Sequence, residues 1–362
     1  MDMKPIITEI LNIAVKAPSG DNTQPWRFVV NKNIIFIHKR SIEGDSNWGN
    51  YNLLITHGTL IENINIAANQ FGYSTELAFL PDPNDPTLTA TITLQADSSI
   101  DTNLNESLFK AIKNRVTNRY PYKKQPLTSE EKTTLTSSIL HTPNARVVFI
   151  EDKKTIRQIS DSVVTQIKVF FSNKSLHEDF FTRLRWSKKS SEISSTGLPA
   201  DTLALDPITI LSMRFVLSFW PIMKFLNLFW FSSIIAMIEK WRRYNKSAAY
   251  LAFIVPKQEM TPITPLQAGQ DVERIWLTAS NIDLALQPTS AILLMEHAIM
   301  DKSGFPTSSD QNKLINESYL NIHKYCGAST DESVLWLMRV GHSTRVASHS
   351  PRKTPEITFI EN

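Results

Sequence analysis

Three groups of polar residues in this chain have the types and spacing to hold a small ligand that carries both a ring and an anionic tail. The first is Ala17-Pro18-Ser19-Gly20-Asp21-Asn22-Thr23-Gln24-Pro25-Trp26. A helical pattern ends here, a turn follows, and a strand led by Trp26 begins. Ser19 and Asn22 therefore sit on a bend from which their side chains can reach outward. Asn offers a donor and an acceptor together, which suits a ring edge that mixes the two. Asn, Asp and Ser also close turns for their own backbones, and the residues alone fit either role.

The second group is Asn114-Arg115-Val116-Thr117-Asn118-Arg119-Tyr120. In an extended segment, Arg115, Thr117 and Arg119 project to one side. Two guanidinium forks and a hydroxyl can grip a phosphate without a glycine loop, although a solvated basic loop has the same composition. The third group pairs Gln287-Pro288-Thr289-Ser290 with Arg339-Val340-Gly341 and Ser350-Pro351-Arg352-Lys353. Its first part follows a long helical pattern and can set backbone N–H groups against a ring nitrogen; its second part adds cations. The chain has 10 glycines and neither G-x-G-x-x-G nor G-x-x-x-x-G-K-[ST], so the usual glycine loops for nucleotides are missing.

The elements that must position these groups can be read from periodicity. Residues 6–16, 53–70, 104–114, 153–171 and 266–284 read as helices, and Thr128 with Glu131 forms a capping-box signature for another. Residues 26–30 and 34–38 read as a hairpin around Asn31-Lys32-Asn33, with further strands at 89–94, 146–150, 248–255 and 335–340. A Pro- and Ser-containing tail follows the last strand. The polar stretch 96–105 is the expected boundary between two halves, 1–103 and 104–362. There is also an internal echo: HGTLIENINIAANQFG (57–72) aligns with AGQDVERIWLTASNID (268–283), pairing Gly58 with Gly269 and Glu62 with Glu273. Two helices of similar composition would look alike; a true echo makes the chain a fused pair of similar units.

Composition narrows the classes. With 362 residues, 42% hydrophobic and 20% charged, the chain can build a large core without staples. One cysteine, Cys326, supplies neither a disulfide framework nor a zinc site, and a reducing compartment fits. The eight histidines lack metal-like spacing, so no metal is expected. A formal charge of +3, with Lys and Arg scattered, gives little electrostatic case for nucleic acid. The opening MDMKPIITEILNIAVKAP does not read as a secretory signal, and a cytoplasmic location is expected.

Taken together and in this order, APSGDNTQPW (17–26), RVTNR (115–119), AGQDVERIWLTASNIDLALQP (268–288) and RVGHS…SPRK (339–353) resemble the nitroreductase family of flavoproteins. The resemblance implies an α+β fold with antiparallel-rich sheets flanked by helices, and FMN as cofactor. In that family two identical subunits usually interlock and share each FMN. Here the first half has the Pro-Ser-x-x-Asn element without an Arg-x-Thr-x-Arg, and the second half has the reverse. The resemblance is thus to the single-chain, double-unit branch known from mycobacterial dormancy-associated proteins, a pseudo-dimer within one chain with one complete site.

Carried over residue by residue, Arg115, Thr117 and Arg119 hold the phosphate and ribityl side, and Arg352 adds charge there. Ser19 and Asn22 meet the flavin from the other half. Pro288, Thr289 and Ser290 lie by the ring with a backbone amide near N5, where Thr289-Ser290 replaces the family's acidic residue and glycine. The implied activity is ping-pong two-electron transfer from NAD(P)H to a nitroaromatic, quinone or similar acceptor, with the chemistry on the cofactor and no protein nucleophile. A non-catalytic protein that sequesters FMN or senses redox state, with a lid over the flavin, is the alternative reading; a cofactor-free membrane-associated protein is a third.

One segment stands outside that plan. Within the insert near 208–245, residues 215–238 (FVLSFWPIMKFLNLFWFSSIIAMI) carry one charge, Lys224, and Trp241-Arg242-Arg243-Tyr244 follow. Three expectations compete: a buried hairpin covering the flavin, an interfacial membrane contact, or a transmembrane span, which would interrupt a fold on both sides.

Overall fold

A computed structural model of the chain describes residues 2–40, 49–102, 105–304 and 306–360. The expected boundary between Asn103 and Leu104 lies outside them, as does the start of the 104–114 helix, which is described as Glu106–Asn114. The strands are β1 (Trp26–Asn31), β2 (Ile34–Lys39), β3 (Tyr73–Phe79), β4 (Leu88–Ala96), β5 (Arg146–Ile150), β6 (Leu184–Arg185), β7 (Leu198–Pro199), β8 (Ala249–Pro256), β9 (Leu284–Pro288), β10 (Glu332–His342) and β11 (Ile357–Phe359). They form two main sheets, ordered β11-β1-β2-β4-β3 and β5-β8-β10-β9, plus the short β6-β7 pair. All pairings within the two sheets are antiparallel except β1 with β11.

Strand burial follows from the period of two. In β1, Trp26, Phe28 and Val30 turn into a core shared with Ile7, Ile10, Leu11 and Ala14 of helix Lys4–Ala14. Strand β8 is buried on both faces, which accounts for its unbroken apolar run. Leu251, Phe253 and Val255 enter one core, and Tyr250, Ala252 and Ile254 enter another.

Two long helices, Gly49–Gln70 and Thr264–Asn281, cross backbone to backbone. A Cβ on Gly58 would stand 2.1 Å from the carbonyl oxygen of Leu266 and 2.8 Å from the Cα of Gly269. A Cβ on Gly269 would stand 2.2 Å from the oxygen of Ile55 and 2.9 Å from the Cα of Gly58. The two glycines paired by the internal echo are therefore the two that meet.

Several elements depart from the sequence expectations. The tail is not a loop throughout: β11 returns to the first sheet, with the Phe28 amide donating to the Glu356 oxygen (2.9 Å) and the Ile360 amide to that of Val30 (2.8 Å). The helix expected over 153–171 is two, Lys153–Val163 and Thr165–Ser172, which meet at Val164 (φ −73°, ψ −8°). Strand β3 and helices Ala291–Met300 and Ser309–Tyr325 are additions. The capping box at Thr128 is present, with the Glu131 amide donating to Oγ1 (3.1 Å) and the Thr128 amide to the Glu131 carboxylate (2.6 Å).

The insert folds as helices Pro207–Ser212, Trp220–Asn227 and Phe231–Arg242 on a local cluster that includes Phe171, Phe181, Met213 and Met223. The expectation of a buried hairpin is corrected: Phe215, Phe219, Phe225, Leu228, Phe229 and Trp230 are all exposed, because the cluster beneath is too small to cover every apolar side chain. Among the described residues no single helix is long and apolar enough to cross a membrane. The segments Pro207–Leu217 and Trp220–Asn227 reach that length only together, with a 99° bend between them.

Gly58→Ala forces the central helices apart at a point with no flexible side chain to yield. It should cost about 1–3 kcal/mol or more of unfolding free energy in denaturant titration. Gly269→Ala should behave alike, and the double variant should lose less than the sum, because both act on one crossing.

Candidate functional site

The site begins where helix Lys4–Ala14 ends. Residues Asp21 (φ 47°), Asn22 (φ 56°) and Gln24 (φ 55°) lie in the left-handed region, which costs energy without glycine and is held by surrounding bonds. The Asn22 amide nitrogen donates to the oxygens of Gly197 (3.2 Å) and Pro351 (3.0 Å), and its Oδ1 accepts from Arg352 Nη1 (2.7 Å). Gln24 Nε2 donates to the Ser195 oxygen (2.7 Å), while its Oε1 accepts from the Lys353 amide (2.8 Å). Ser19 Oγ accepts from the Gln24 amide (3.0 Å). Turn closure and site formation, which compete in the sequence, are thus combined: Asn22 positions Arg352.

The 115–119 segment is extended, as its spacing requires. Thr117 bridges to Leu286 in parallel, and the Asn118 amide donates to the Leu286 oxygen (3.0 Å). Arg115 is buried: Nη2 donates to the Lys16 oxygen (2.7 Å), Nε lies 3.3 Å from Glu273 Oε1, and the guanidinium sits 4.6 Å from the Trp276 ring centre. Arg119 Nη1 donates to the Thr202 oxygen (3.1 Å).

Two adjoining cavities, about 210 Å³ and about 450 Å³, share Pro18, Ser19, Asp21, Thr117 and Arg119 as walls. Pro288, Thr289 and Ser290 line the first, with Trp276 and Trp336; Asn22, Arg115 and Arg352 line the second, with Thr202 and His349. The nine residues that the resemblance assigns to the cofactor therefore all border this pair of adjoining cavities.

The two ends of the cleft differ in chemistry. At the second cavity, burial pulls the guanidinium of Arg119 down to about 10, with repulsion from Arg243 adding to it. Burial and then Arg115 pull Arg352 down to about 9. Both remain cationic at neutral pH, and neither forms an ion pair with a carboxylate among the described residues. Burial, then Arg115 and Arg352, also lower the His349 pKa and favour the neutral ring. Glu273 is the carboxylate beside Arg115, and burial raises it to about 7 despite Arg115. The result is an excess of buried positive charge, suited to a dianion.

The first cavity is apolar with isolated polar points. Trp276 Nε1, Trp336 Nε1 and Gln287 Oε1 are buried without a hydrogen-bond partner among the described residues. The Thr289 amide is already engaged, donating to the Leu337 oxygen (2.8 Å). Both hydroxyls at this turn, Thr289 Oγ1 (3.1 Å) and Ser290 Oγ (3.0 Å), donate to the same oxygen. The amides of Ser290 and Ala291 open helix Ala291–Met300, ahead of any intrahelical acceptor, and are the donors left for a ligand.

Some sequence assignments do not reach the cleft. Arg339, offered as a further cation, is fully buried and donates to the oxygens of Arg243 (2.8 Å) and Tyr120 (3.0 Å), so it braces the walls. No residue of the insert helices 207–242 lines either cavity; Gln166, Leu198 and Thr202 do. Thr202, His349 and Trp276 line the cleft without having been assigned a role in the sequence, and Gln24 braces its rim without lining it. Gln24 lies inside a motif already singled out, whereas Thr202 and His349 carry no local signal.

No family model matches the chain. Over 204 residues it is 23% identical to a Mycobacterium tuberculosis protein, acg, named for NAD(P)H nitroreductase activity, covering 55% of this chain and 58% of that one. An uncharacterized protein of the same species is 21% identical over 308 residues, covering 79% of this chain and 39% of that one. The chain thus matches less than two thirds of the length of these curated relatives. Among solved structures, it is similar to a nitroreductase with bound FMN from Desulfitobacterium hafniense, at 12% identity and a TM-score of 0.38, covering 71% of this chain and 99% of that one. It is also similar to an iodotyrosine deiodinase bound to FMN and 3-iodo-L-tyrosine, at 14% identity and a TM-score of 0.38, covering 68% and 95%.

Glu273 sets a pH dependence. Its folded-state pKa lies above that of the unfolded chain, so the stability it permits is fully present below about 4.5 and is lost as pH rises through about 7. Glu273→Gln should therefore flatten the fall in melting temperature between those limits. An unchanged slope would place the titration elsewhere.

Proposed function

We propose that this chain is a nitroreductase-type flavoprotein that holds one FMN in the cleft. The observation that carries this reading is the convergence of four distant segments, at 19–22, 115–119, 288–290 and 352, on a cavity pair with buried cations at one end and apolar walls at the other. The residues fit the group. Arg115, Arg119 and Arg352 would hold the phosphate, Thr117 and Ser19 border the middle, and Trp276, Pro288 and Trp336 would flank the ring system. The orphaned indole N–H groups and the amides of Ser290 and Ala291 supply donors for its polar edge.

The chain is read as a pseudo-dimer, because each half contributes what the other lacks and the echoed glycines meet at the central crossing. FMN, when bound, supplies two-electron chemistry, with the protein setting its orientation and electrostatics. The tryptophans and Leu294 exclude water from the first cavity, and the arginines fix the anionic tail. The reaction is transfer from NAD(P)H to a nitroaromatic, quinone or similar acceptor, in ping-pong order because a single cleft serves both substrates. No side chain is required as a nucleophile.

The purified chain should be yellow and should oxidise NAD(P)H steadily when a quinone or nitroaromatic is supplied. Arg115→Ala with Arg119→Ala should lose FMN on gel filtration, since each charge-assisted contact contributes about 1.5–3 kcal/mol. Wild-type flavin occupancy in that double variant would overturn the phosphate assignment. A flavin that dithionite reduces and NAD(P)H does not would overturn the enzymatic part alone, in favour of sequestration.

A further inference from the structure

The outer face of the insert is too apolar to be left in water, and no single helix among its described residues is long enough to cross a bilayer. Helices Trp220–Asn227 and Phe231–Arg242 form a hairpin whose turn, Leu228-Phe229-Trp230, exposes 70%, 61% and 76% of those residues. Phe215, Phe219 and Phe225 extend the same apolar exposure towards the first arm. A contiguous patch of this kind marks an interaction surface.

The tip is built rather than frayed. Asn227 Nδ2 donates to the Phe171 oxygen (2.6 Å) and its Oδ1 accepts from the Ser232 amide (3.1 Å), which ties the turn to the body of the protein. Trp230 takes a left-handed conformation (φ 55°) at the turn, and Met223 and Ala236 anchor the two arms from below, both fully buried.

Charge selects the occupant. From 207 to 246 the cations are Arg214, Lys224, Lys240, Arg242, Arg243 and Lys246, against one carboxylate, Glu239, with Lys240 paired to Asp161 outside this stretch. Glu239 is held by Arg242 (2.6 Å) and Arg243 (3.2 Å). The exposed charges beside the apolar tip, Arg214 and Lys224, are therefore both positive. Asp206, which caps helix Pro207–Ser212 through Thr209, and Asp161, which pairs with Lys240, are exposed carboxylates bordering the insert, but the apolar tip itself carries none, so a second copy packed tip to tip would bring like charges together. An anionic lipid surface meets the cations and accepts the aromatic tip at headgroup depth.

We infer that the 207–246 insert is a monotopic docking hairpin that seats this protein on an anionic bilayer surface, with Phe229 and Trp230 entering the interface. The body stays in water, and the 200–204 turn links the two: Arg243 Nη2 donates to the Leu203 oxygen (2.8 Å), next to the Thr202 oxygen that accepts from Arg119. This inference does not depend on the flavin reading.

The test uses the full chain as purified, with vesicles of phosphatidylcholine alone or mixed with phosphatidylglycerol. The protein should co-sediment with the mixed vesicles, less at high salt, and less with phosphatidylcholine alone. Phe229→Ser with Trp230→Ser should weaken partitioning about tenfold or more. The conservative Trp230→Phe should keep binding while losing part of the tryptophan quenching by brominated lipid. Arg214→Glu with Lys224→Glu should erase the preference for phosphatidylglycerol. Wild-type protein that stays in the supernatant with mixed vesicles overturns the inference. So does a dimer in light scattering that the Ser variant converts to monomer.

Discussion

The close crossing of helices Gly49–Gln70 and Thr264–Asn281 is the constraint on which the rest depends. Backbones meet at Gly58 and Gly269 because neither carries a side chain, and this distance sets where every flanking residue falls. One turn along, Glu62 and Glu273 are both buried, each beside a cation. Glu62 accepts from Arg274 Nη1 (2.7 Å) and lies 3.0 Å from His141 Nε2; although burial pushes its carboxyl up, these partners hold it below the ordinary range. Asp271, on the second helix, accepts three backbone amides from residues 140–142. Of these contacts the Glu62–Arg274 pair joins the two helices and fixes their register, and losing one partner of such a buried pair costs more than the pair contributes.

The cleft inherits its polarity from that arrangement. Arg115 is pinned between the Lys16 carbonyl, Glu273 and the face of Trp276, which fixes its fork at the wall of the second cavity. Arg352 reaches the same wall only because β11 pairs with β1 and carries the preceding residues back across the first sheet. Positive charge accumulates at one end while the opposite end, against β9 and the start of helix Ala291–Met300, stays apolar with a few unpaired donors. A ligand with an anionic tail and a flat ring satisfies both ends at once.

The insert obeys a different logic. Its small cluster supports the hairpin without covering it, so apolar side chains that a soluble core would absorb remain outside. Polar anchors such as Asn227 keep that surface in one shape. The 200–204 turn joins this surface to the anion end of the cleft through backbone carbonyls rather than through shared side chains.

Periodicity alone determined much of the chain: the β1–β2 hairpin, the double-sided burial of β8, the capping box at Thr128 and the two central helices all follow from local spacing. The candidate site residues Ser19, Asn22, Arg115, Thr117, Arg119, Pro288, Thr289, Ser290 and Arg352 stood out through the resemblance of their motifs, since each group alone fits a turn or a solvated loop equally well. Tertiary structure decided which atoms face the cleft. It turned Asn22 towards Arg352, engaged the Thr289 amide with Leu337, withdrew Arg339 into a strut, and brought Thr202 and His349 to the wall. Those outcomes depend on contacts across hundreds of residues. A pairing such as β11 on β1 leaves no trace in the spacing of a three-residue strand; only the completed sheet edge selects it.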